Sequence, residues 1–222
     1  EHSPVVLDSV SFRITAGKTV VIVGATGSGK STLLAVMAGL LQPSQGRVAL
    51  AGKTASIVFQ EPFLFSGSIE YNICLGQQLP KETIAEALYL SASDSFVSDL
   101  PKGIETIIGE RGISLSGGQR QRISLARAIA QGADVLLLDD TTSALDTVTE
   151  AVVVERLRGA SRKVTTVVVA SRPSTIALAD DVLFIEGGKL TDHGPHSALM
   201  LSNENYRNLM QSFEHDRNEG NL

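Results

Sequence analysis

The stretch that decides the fold is Gly24-Ala25-Thr26-Gly27-Ser28-Gly29-Lys30-Ser31. It fits the pattern G-x-x-x-x-G-K-[ST] in full, and it lies between an apolar run at residues 18–23 and a helical pattern at residues 30–40. Glycines let the backbone bend so that consecutive N–H groups face one anion, and the N-terminus of the following helix adds a partial positive charge. The stretch therefore predicts a strand, a phosphate-binding loop and a helix.

Two side chains of this loop indicate which phosphates it holds. Lys30 is expected to reach the β- and γ-phosphates of a nucleotide, and the Ser31 hydroxyl is expected to ligate Mg²⁺. The alternative is a glycine-rich turn without a ligand, but four specified residues rarely coincide at this spacing by chance. We therefore expect the chain to bind a nucleoside triphosphate.

A second apolar run ends in two carboxylates: Asp134-Val135-Leu136-Leu137-Leu138-Asp139-Asp140. In a fold with this type of loop, the acid at the tip of a neighbouring strand holds Mg²⁺ through water, and Asp139 has that position. Asp140 follows where a base or a water-orienting carboxylate is expected. A capped strand end with solvated acids is the alternative.

Composition excludes several other classes of protein. The chain has 222 residues and a formal net charge of −5, so it lacks the excess of basic residues that a nucleic-acid-binding protein uses to contact phosphates. Its apolar runs are far shorter than the roughly 18 residues that cross a bilayer. Cys74 is the single cysteine, which excludes an internal disulfide and a zinc site built on cysteine pairs. We expect a cytosolic domain excised from a longer polypeptide.

Strand and helix patterns alternate along the chain, which predicts an α/β fold with a mostly parallel sheet. Strands are expected at residues 9–15, 18–23, 47–50, 55–59, 135–139, 164–169, 182–186 and 189–191. Helices are expected at residues 30–40, 81–90, 94–100, 116–130, 147–157 and 204–213. The mainly helical block predicts one domain with a core at 1–67 and 133–222 and a helical subdomain at about 68–132.

The longest predicted helix of that block opens with Leu115-Ser116-Gly117-Gly118-Gln119. Ser116 is a good N-cap residue, and the paired glycines allow a close backbone approach. A helix N-terminus of this kind is a second anion-binding site, although a simple turn between two helices has a similar sequence. Arg120, Arg122 and Arg127 follow on the helix and are expected on its solvated or packing face.

In their order and spacing, these motifs resemble those of the nucleotide-binding domains of ATP-binding cassette (ABC) transporters. Gln119 lies 20 residues before Asp139 (139 − 119), and the resemblance extends over essentially the whole chain. It implies a P-loop NTPase core with a mostly parallel sheet, an antiparallel β subdomain and an inserted helical subdomain. It also implies that two domains close head to tail around Mg-ATP.

The resemblance also implies a role for each motif residue. The phosphate contacts would be Gly24, Ala25, Thr26, Gly27, Ser28, Gly29, Lys30, Ser31 and Thr32. Mg²⁺ would be arranged by Ser31, Gln60 and Asp139, with Gln60 also contacting the attacking water. The signature residues Ser116, Gly118 and Gln119 would contact ATP in the opposite domain. Ser143-Ala144-Leu145-Asp146 resembles the D-loop, which crosses the interface between the two domains.

Two further segments resemble the exporter subclass of the family. They are Glu61-Pro62-Phe63-Leu64-Phe65-Ser66-Gly67 and Gly109-Glu110-Arg111-Gly112. In exporters these segments receive the coupling helices of a transmembrane domain, which usually precedes this domain in the same polypeptide. The resemblance therefore places the chain at the cytoplasmic face of the cell membrane.

The proposed catalytic residues Asp140, Gln60 and Ser171 depart from the family pattern at two of three positions. The family usually has Glu at the position of Asp140 and His at the position of Ser171. The shorter carboxylate and the uncharged hydroxyl predict weak hydrolysis, because small misplacements and lost charge stabilisation both slow the reaction. The family's adenine-stacking aromatic is expected upstream of this chain.

The signature residues match the family pattern, whereas Asp140 and Ser171 do not. This asymmetry resembles heterodimeric exporters, in which one site is degenerate and a non-identical partner domain retains the intact Glu and His. Two alternatives remain: a homodimeric slow ATPase that uses Asp140, and a purely regulatory ATP-binding module. A chromosome-organising or DNA-repair ATPase is disfavoured, because the sequence lacks a long heptad run and is acidic.

Overall fold

A six-stranded sheet occupies the centre of the molecule in the computed structural model, which describes residues 5–50, 54–112, 114–141, 144–160 and 164–219. The strands are β1 Thr19–Val23, β2 Ala55–Val58, β3 Gly67–Ser68, β4 Ile107–Ile108, β5 Val135–Asp139, β6 Thr165–Val169, β7 Asp181–Glu186 and β8 Lys189–Gly194. The order in the central sheet is β2-β5-β6-β1-β7-β8, and only the β7–β8 pair is antiparallel.

The parallel register aligns the carboxyl ends of β2, β5, β6 and β1 at one edge of the sheet. Leu138 pairs with both Val58 and Val168, and Ile22 pairs with Val169. The residues that follow these four strands therefore lie next to one another. Ligand sites in open α/β sheets form at this edge.

Helices cover both faces of the sheet. They are α1 Lys30–Met37, α2 Ile69–Cys74, α3 Lys81–Leu90, α4 Asp94–Ser98, α5 Gly117–Ala130, α6 Thr147–Gly159, α7 Pro173–Ala177, α8 His196–Ser202 and α9 Glu204–Glu219. Alternate residues of β1 point to opposite faces: Val20 and Ile22 pack with α1, whereas Val21 and Val23 pack in the cluster that contains residues of α6 and α9. Burial on both faces explains why β1 is apolar throughout.

A second hydrophobic core lies among α2, α3, α4 and α5. Ile69, Ile73, Ile108 and Ile123 are fully buried in it, and the short antiparallel pair β3–β4 closes one side. Helix α5 belongs to both cores, because its Leu125 packs in the cluster beside the central sheet. This helix therefore couples the helical part of the chain to the sheet.

The fold class predicted from the sequence is confirmed, but several elements differ. Residues 9–15 and 47–50, predicted as strands, are not strands, although the side chains of Val10, Phe12 and Ile14 still pack against the core. Period-two alternation reports which side chains face inward, whereas a strand also needs a hydrogen-bonded neighbour. The short helices α7 and α8 were not predicted.

Among the described residues, no helix has both the length and the apolar character needed to cross a bilayer.

Candidate functional site

The predicted phosphate-binding loop connects β1 to α1. Gly27 and Gly29 have φ angles of +79° and +100°, a region that side chains other than glycine rarely occupy. Gly24 has a different constraint, because a Cβ there would lie 2.2 Å from the Ile185 carbonyl oxygen. Gly29 is the N-cap of α1 and supplies no side-chain hydrogen bond, so the first amides of α1 face the loop without a side-chain acceptor. This arrangement suits an anion.

The Lys30 side chain folds back over the same loop. Its Nζ donates hydrogen bonds of 2.9 Å to the carbonyl oxygens of Gly24 and Ala25. Burial lowers the pKa of the Lys30 ammonium, while the carboxylates of Asp140 and Asp139 raise it. The loop therefore holds one cation beside two acids, at the place where a nucleotide's terminal phosphates would lie.

The Ser31 hydroxyl and the Asp139 carboxylate meet across the sheet edge. Ser31 Oγ donates a hydrogen bond of 2.9 Å to Asp139 Oδ1. Both are hard oxygen ligands of the kind that Mg²⁺ prefers, and Mg²⁺ typically takes one or two protein ligands together with phosphate oxygens and water. The described residues contain no cluster of three or more His, Cys, Asp or Glu side chains that could hold a metal ion. The residues present fit Mg²⁺ bound together with a nucleotide.

Gln60 and Asp140 form a second contact at this edge. Gln60 follows β2, and its Nε2 donates a hydrogen bond of 3.3 Å to Asp140 Oδ2. The Asp140 backbone has a φ of +47°, and aspartate is among the residues that tolerate this left-handed conformation. The turn after β5 and this hydrogen bond together direct the Asp140 carboxylate towards β2.

Ser171 reaches the same edge through the sheet topology. It follows β6, the strand between β1 and β5, and its side chain is exposed. The amide of Ala170 donates a 3.4 Å hydrogen bond to the Ile22 carbonyl oxygen, which holds the start of this loop beside β1. The structure thus brings together Gly24 to Thr32, Gln60, Asp139, Asp140 and Ser171.

Ser116 and Gly118 line a pocket away from the phosphate loop, and Gln119 lies beside them in the first turn of α5. Ser116 Oγ accepts a hydrogen bond of 3.2 Å from the Gln119 amide, and the Ser116 amide donates to Gln119 Oε1 at 2.9 Å. This reciprocal capping box fixes the N-terminus of α5. The pocket there is completed by Arg122, by residues 144–146 and by Thr149, with none of the phosphate-loop residues lining it. Ser143 lies outside the described residues.

Arg122 and Arg127 pack within the helical part of the chain. The sequence left open a solvated or a packing face for them, and the structure shows the packing face. Arg127 donates to the carbonyl oxygens of Asn72 and Phe63 at 2.7 and 2.8 Å and to Asn72 Oδ1 at 2.9 Å. Arg122 donates to the Ala92 carbonyl oxygen at 2.6 Å. Burial lowers the pKa of both guanidinium groups, which remain charged.

Sequence analysis missed one buried acid beside the site, Glu150. It lies in the first turn of α6, is 1% exposed, and accepts hydrogen bonds from Arg172 and Thr175. Its position four residues after Asp146, the N-cap of α6, was the available signal, but an acid in a first helical turn is usually solvated.

Comparison with known proteins agrees with this geometry. A family model described as ABC transporter matches residues 7–143. The mycobactin import ATP-binding/permease protein IrtB of Mycolicibacterium smegmatis is 45% identical over 210 residues, which are 89% of this chain and 36% of that protein. ABC transporter B family member 13 of Arabidopsis thaliana is 39% identical over 227 residues, which are 96% of this chain and 18% of that protein.

A solved structure is similar in both fold and sequence. It is a bacterial Atm1-family ABC exporter with ATP bound, which has a TM-score of 0.87 and 34% sequence identity to this chain. The match covers 93% of this chain and 39% of the exporter chain. The chain therefore spans about a third of the length of IrtB and about two fifths of the exporter chain.

Proposed function

The chain belongs to the ABC transporter family as a nucleotide-binding domain, and from that premise we propose that it closes head to tail with a second such domain around Mg-ATP. Closure would move a transmembrane domain and so power transport, as domain closure does in other nucleotide enzymes. We further propose that its own hydrolytic site is impaired. The observation that carries the proposal is the shared sheet edge of the phosphate loop, Gln60, Asp139, Asp140 and Ser171.

Nucleotide binding at this edge is supported by the loop geometry. The uncapped first turn of α1 and the Lys30 ammonium offer N–H donors and a positive charge to phosphate oxygens. Ser31 and Asp139 would hold Mg²⁺, and Gln60 would complete the set. When bound, Mg²⁺ would neutralise charge on the terminal phosphates.

An aromatic surface supports a membrane-domain partner. Phe63, Phe65 and Tyr71 are 55%, 43% and 47% exposed, and Phe65 makes edge-to-face contacts with the other two. Ile107 beside them is 68% exposed. Exposed apolar clusters of this kind are typical of interaction sites. The name ATP-binding/permease protein given to IrtB joins both functions in one polypeptide, so we propose that this surface receives coupling helices at the cytoplasmic face of a membrane.

The names of the relatives give different directions of transport. IrtB is named for mycobactin import, whereas the Atm1-family structure is named an exporter. Our proposal follows the exporter architecture, because the segments around Phe63 and Glu110 resemble those of exporters.

Impaired hydrolysis is proposed from Asp140 and Ser171. The Asp140 carboxylate is one methylene shorter than the usual glutamate, and its Oδ2 faces Gln60 at 3.3 Å. Ser171 offers an exposed, uncharged hydroxyl where a histidine would place a ring nitrogen near the γ-phosphate. A displacement of about 1 Å can cost on the order of 100-fold in rate. ATP in this site would therefore serve mainly to hold the two domains together.

The capping box at Ser116 supports pairing with a second domain, and Asp140 and Ser171 favour a partner that is not identical. The N-terminus of α5 has the geometry to contact an anion, while it lies in a pocket separate from the chain's own phosphate loop. It would serve the ATP of a non-identical partner that retains Glu and His. A homodimeric slow ATPase is the second candidate, because Asp140 still presents a carboxylate at the site.

Mixing experiments separate the heterodimer from a purely regulatory ATP-binding module. A partner domain with intact Glu and His is titrated with this chain, and ATP turnover is measured with wild type, Ser116→Ala and, as a control on an exposed serine elsewhere, Ser98→Ala. We expect the wild type and Ser98→Ala to raise turnover above that of the partner alone and Ser116→Ala to reduce the gain. Turnover equal to that of the partner alone with every variant would favour a purely regulatory module.

A further inference from the structure

We propose that Glu150 is a positioning residue that holds residue 171 at the nucleotide site and ties it to the surface formed by residues 144–146. The inference rests on the proposed function, because residue 171 matters only if a bound nucleotide reaches it. It adds a residue that none of the sequence motifs includes.

Both carboxylate oxygens of Glu150 are used. Arg172 Nη1 donates to Glu150 Oε2, and Thr175 Oγ1 donates to Glu150 Oε1. Glu150 is 1% exposed and Thr175 is 2% exposed, so their contact is shielded from water, whereas the Arg172 side chain is 30% exposed. A carboxylate this deeply buried needs such partners, since an unpaired buried charge is strongly unfavourable.

These contacts fix the loop that carries Ser171. Arg172 follows Ser171 directly and is the N-cap of α7, and Thr175 lies within α7. On the other side, the Ala170 amide is hydrogen-bonded to the Ile22 carbonyl oxygen of β1. Ser171 is therefore held between a backbone contact to the sheet and an ion pair to α6.

The same turn of α6 fixes the segment before it. Asp146 accepts hydrogen bonds from the Thr149 amide at 2.9 Å and from Thr149 Oγ1 at 2.7 Å. Ala144 lies close to the N-terminus of α5, because a Cβ on Gly118 would be 3.1 Å from its carbonyl oxygen. Glu150 thus joins the loop at the nucleotide site to the surface that would meet the second domain.

The alternative is that Glu150 only stabilises the fold. The variant Ser171→His separates the two roles, because its preference for Mg-ATP over Mg-ADP would depend on where the loop holds the histidine ring. We expect Ser171→His to increase the preference for Mg-ATP over Mg-ADP about tenfold, the effect of one hydrogen bond to a charged group. Positioning by Glu150 predicts that this gain disappears in the Glu150→Gln background.

The experiment measures binding of Mg-ATP and Mg-ADP by calorimetry for Ser171→His alone and combined with Glu150→Gln. The matched control is Asp180→Asn, since Asp180 accepts a 2.8 Å hydrogen bond from the Thr19 amide at the opposite end of β1. Thr175→Val, which keeps the ion pair, is a milder variant in case Glu150→Gln does not fold. Amide hydrogen exchange of residues 170–177 is followed in parallel.

We expect the tenfold gain to persist with Asp180→Asn and to be lost with Glu150→Gln, with faster exchange at residues 170–177 in the latter. A gain retained with Glu150→Gln, or unchanged exchange in that variant, overturns the positioning role. If Ser171→His produces no gain in any background while exchange still rises in Glu150→Gln, the anchor exists but position 171 does not face the nucleotide. In that case the proposed function fails, and the role of Glu150 in nucleotide binding fails with it.

Discussion

Ser31 Oγ donates a hydrogen bond of 2.9 Å to Asp139 Oδ1, joining the first turn of α1 to the end of β5 across 108 positions of sequence. The contact is possible because only β6 separates β1 from β5 in the sheet. Two oxygen ligands suited to Mg²⁺ therefore converge at this edge of the sheet. The Lys30 ammonium folds over the same loop and offsets the negative charge of Asp139.

Lys30→Ala is expected to reduce nucleotide affinity about 10- to 100-fold, because hydrogen bonds to charged groups contribute about 1.5–3 kcal/mol. Titration with a fluorescent ATP analogue measures the change. Lys18→Ala is the control, since Lys18 is an exposed lysine that pairs with Asp180 at the opposite end of β1. Equal affinities for the two variants would show that the phosphates lie elsewhere.

Gly24→Ala is expected to lower the free energy of unfolding by about 1–3 kcal/mol, because overpacking has costs of that size. The new Cβ would lie 2.2 Å from the Ile185 carbonyl oxygen, a backbone atom that cannot move aside easily. Gly159→Ala is the control: a Cβ there meets nothing within 4 Å, so stability should be unchanged or higher. Chemical denaturation with equal midpoints for both variants would contradict the close contact.

Features set by neighbouring residues in the sequence could be predicted, whereas features set by distant contacts could not. The phosphate loop was predictable because glycine spacing, lysine and serine each have a local physical reason there. The segment at residues 9–15 was predicted as a strand because alternation is local, whereas the absence of a ladder depends on distant neighbours. The contacts of Glu150 with Arg172 and Thr175 depend on how α6 packs against α7, which no local pattern encodes.

Arg127→Met is expected to lower the free energy of unfolding by about 2–3 kcal/mol, since it leaves the acceptor oxygens of the buried Asn72 without their donor. The side chain makes three hydrogen bonds, to Asn72 and Phe63, below the aromatic surface around Phe65. Arg158→Met, at an exposed position of α6, is the control, with an expected change within about 0.5 kcal/mol. Similar denaturation midpoints for the two variants would argue against this network.

Cys74 is expected to react slowly in the folded chain. Burial raises the pKa of its thiol, with a smaller contribution from Glu70, and the thiolate is the reactive form. Because the folded-state pKa is the higher one, the associated stability is complete below pH 9.0 and is lost as the pH rises above that value. Iodoacetamide at pH 8 should alkylate the denatured chain much faster than the native one. Equal rates would show that the thiol is accessible.

We propose that this chain binds ATP in a site that hydrolyses it poorly, and the decisive measurement is steady-state ATP turnover as a function of protein concentration. Wild type is compared with the double variant Asp140→Glu, Ser171→His, with Mg-ATP binding measured on both. We expect both proteins to bind Mg-ATP, the wild type to turn over ATP near background, and the turnover of the double variant to increase steeply with protein concentration. Robust wild-type turnover that rises with the square of concentration would contradict it and identify a self-pairing ATPase that uses Asp140.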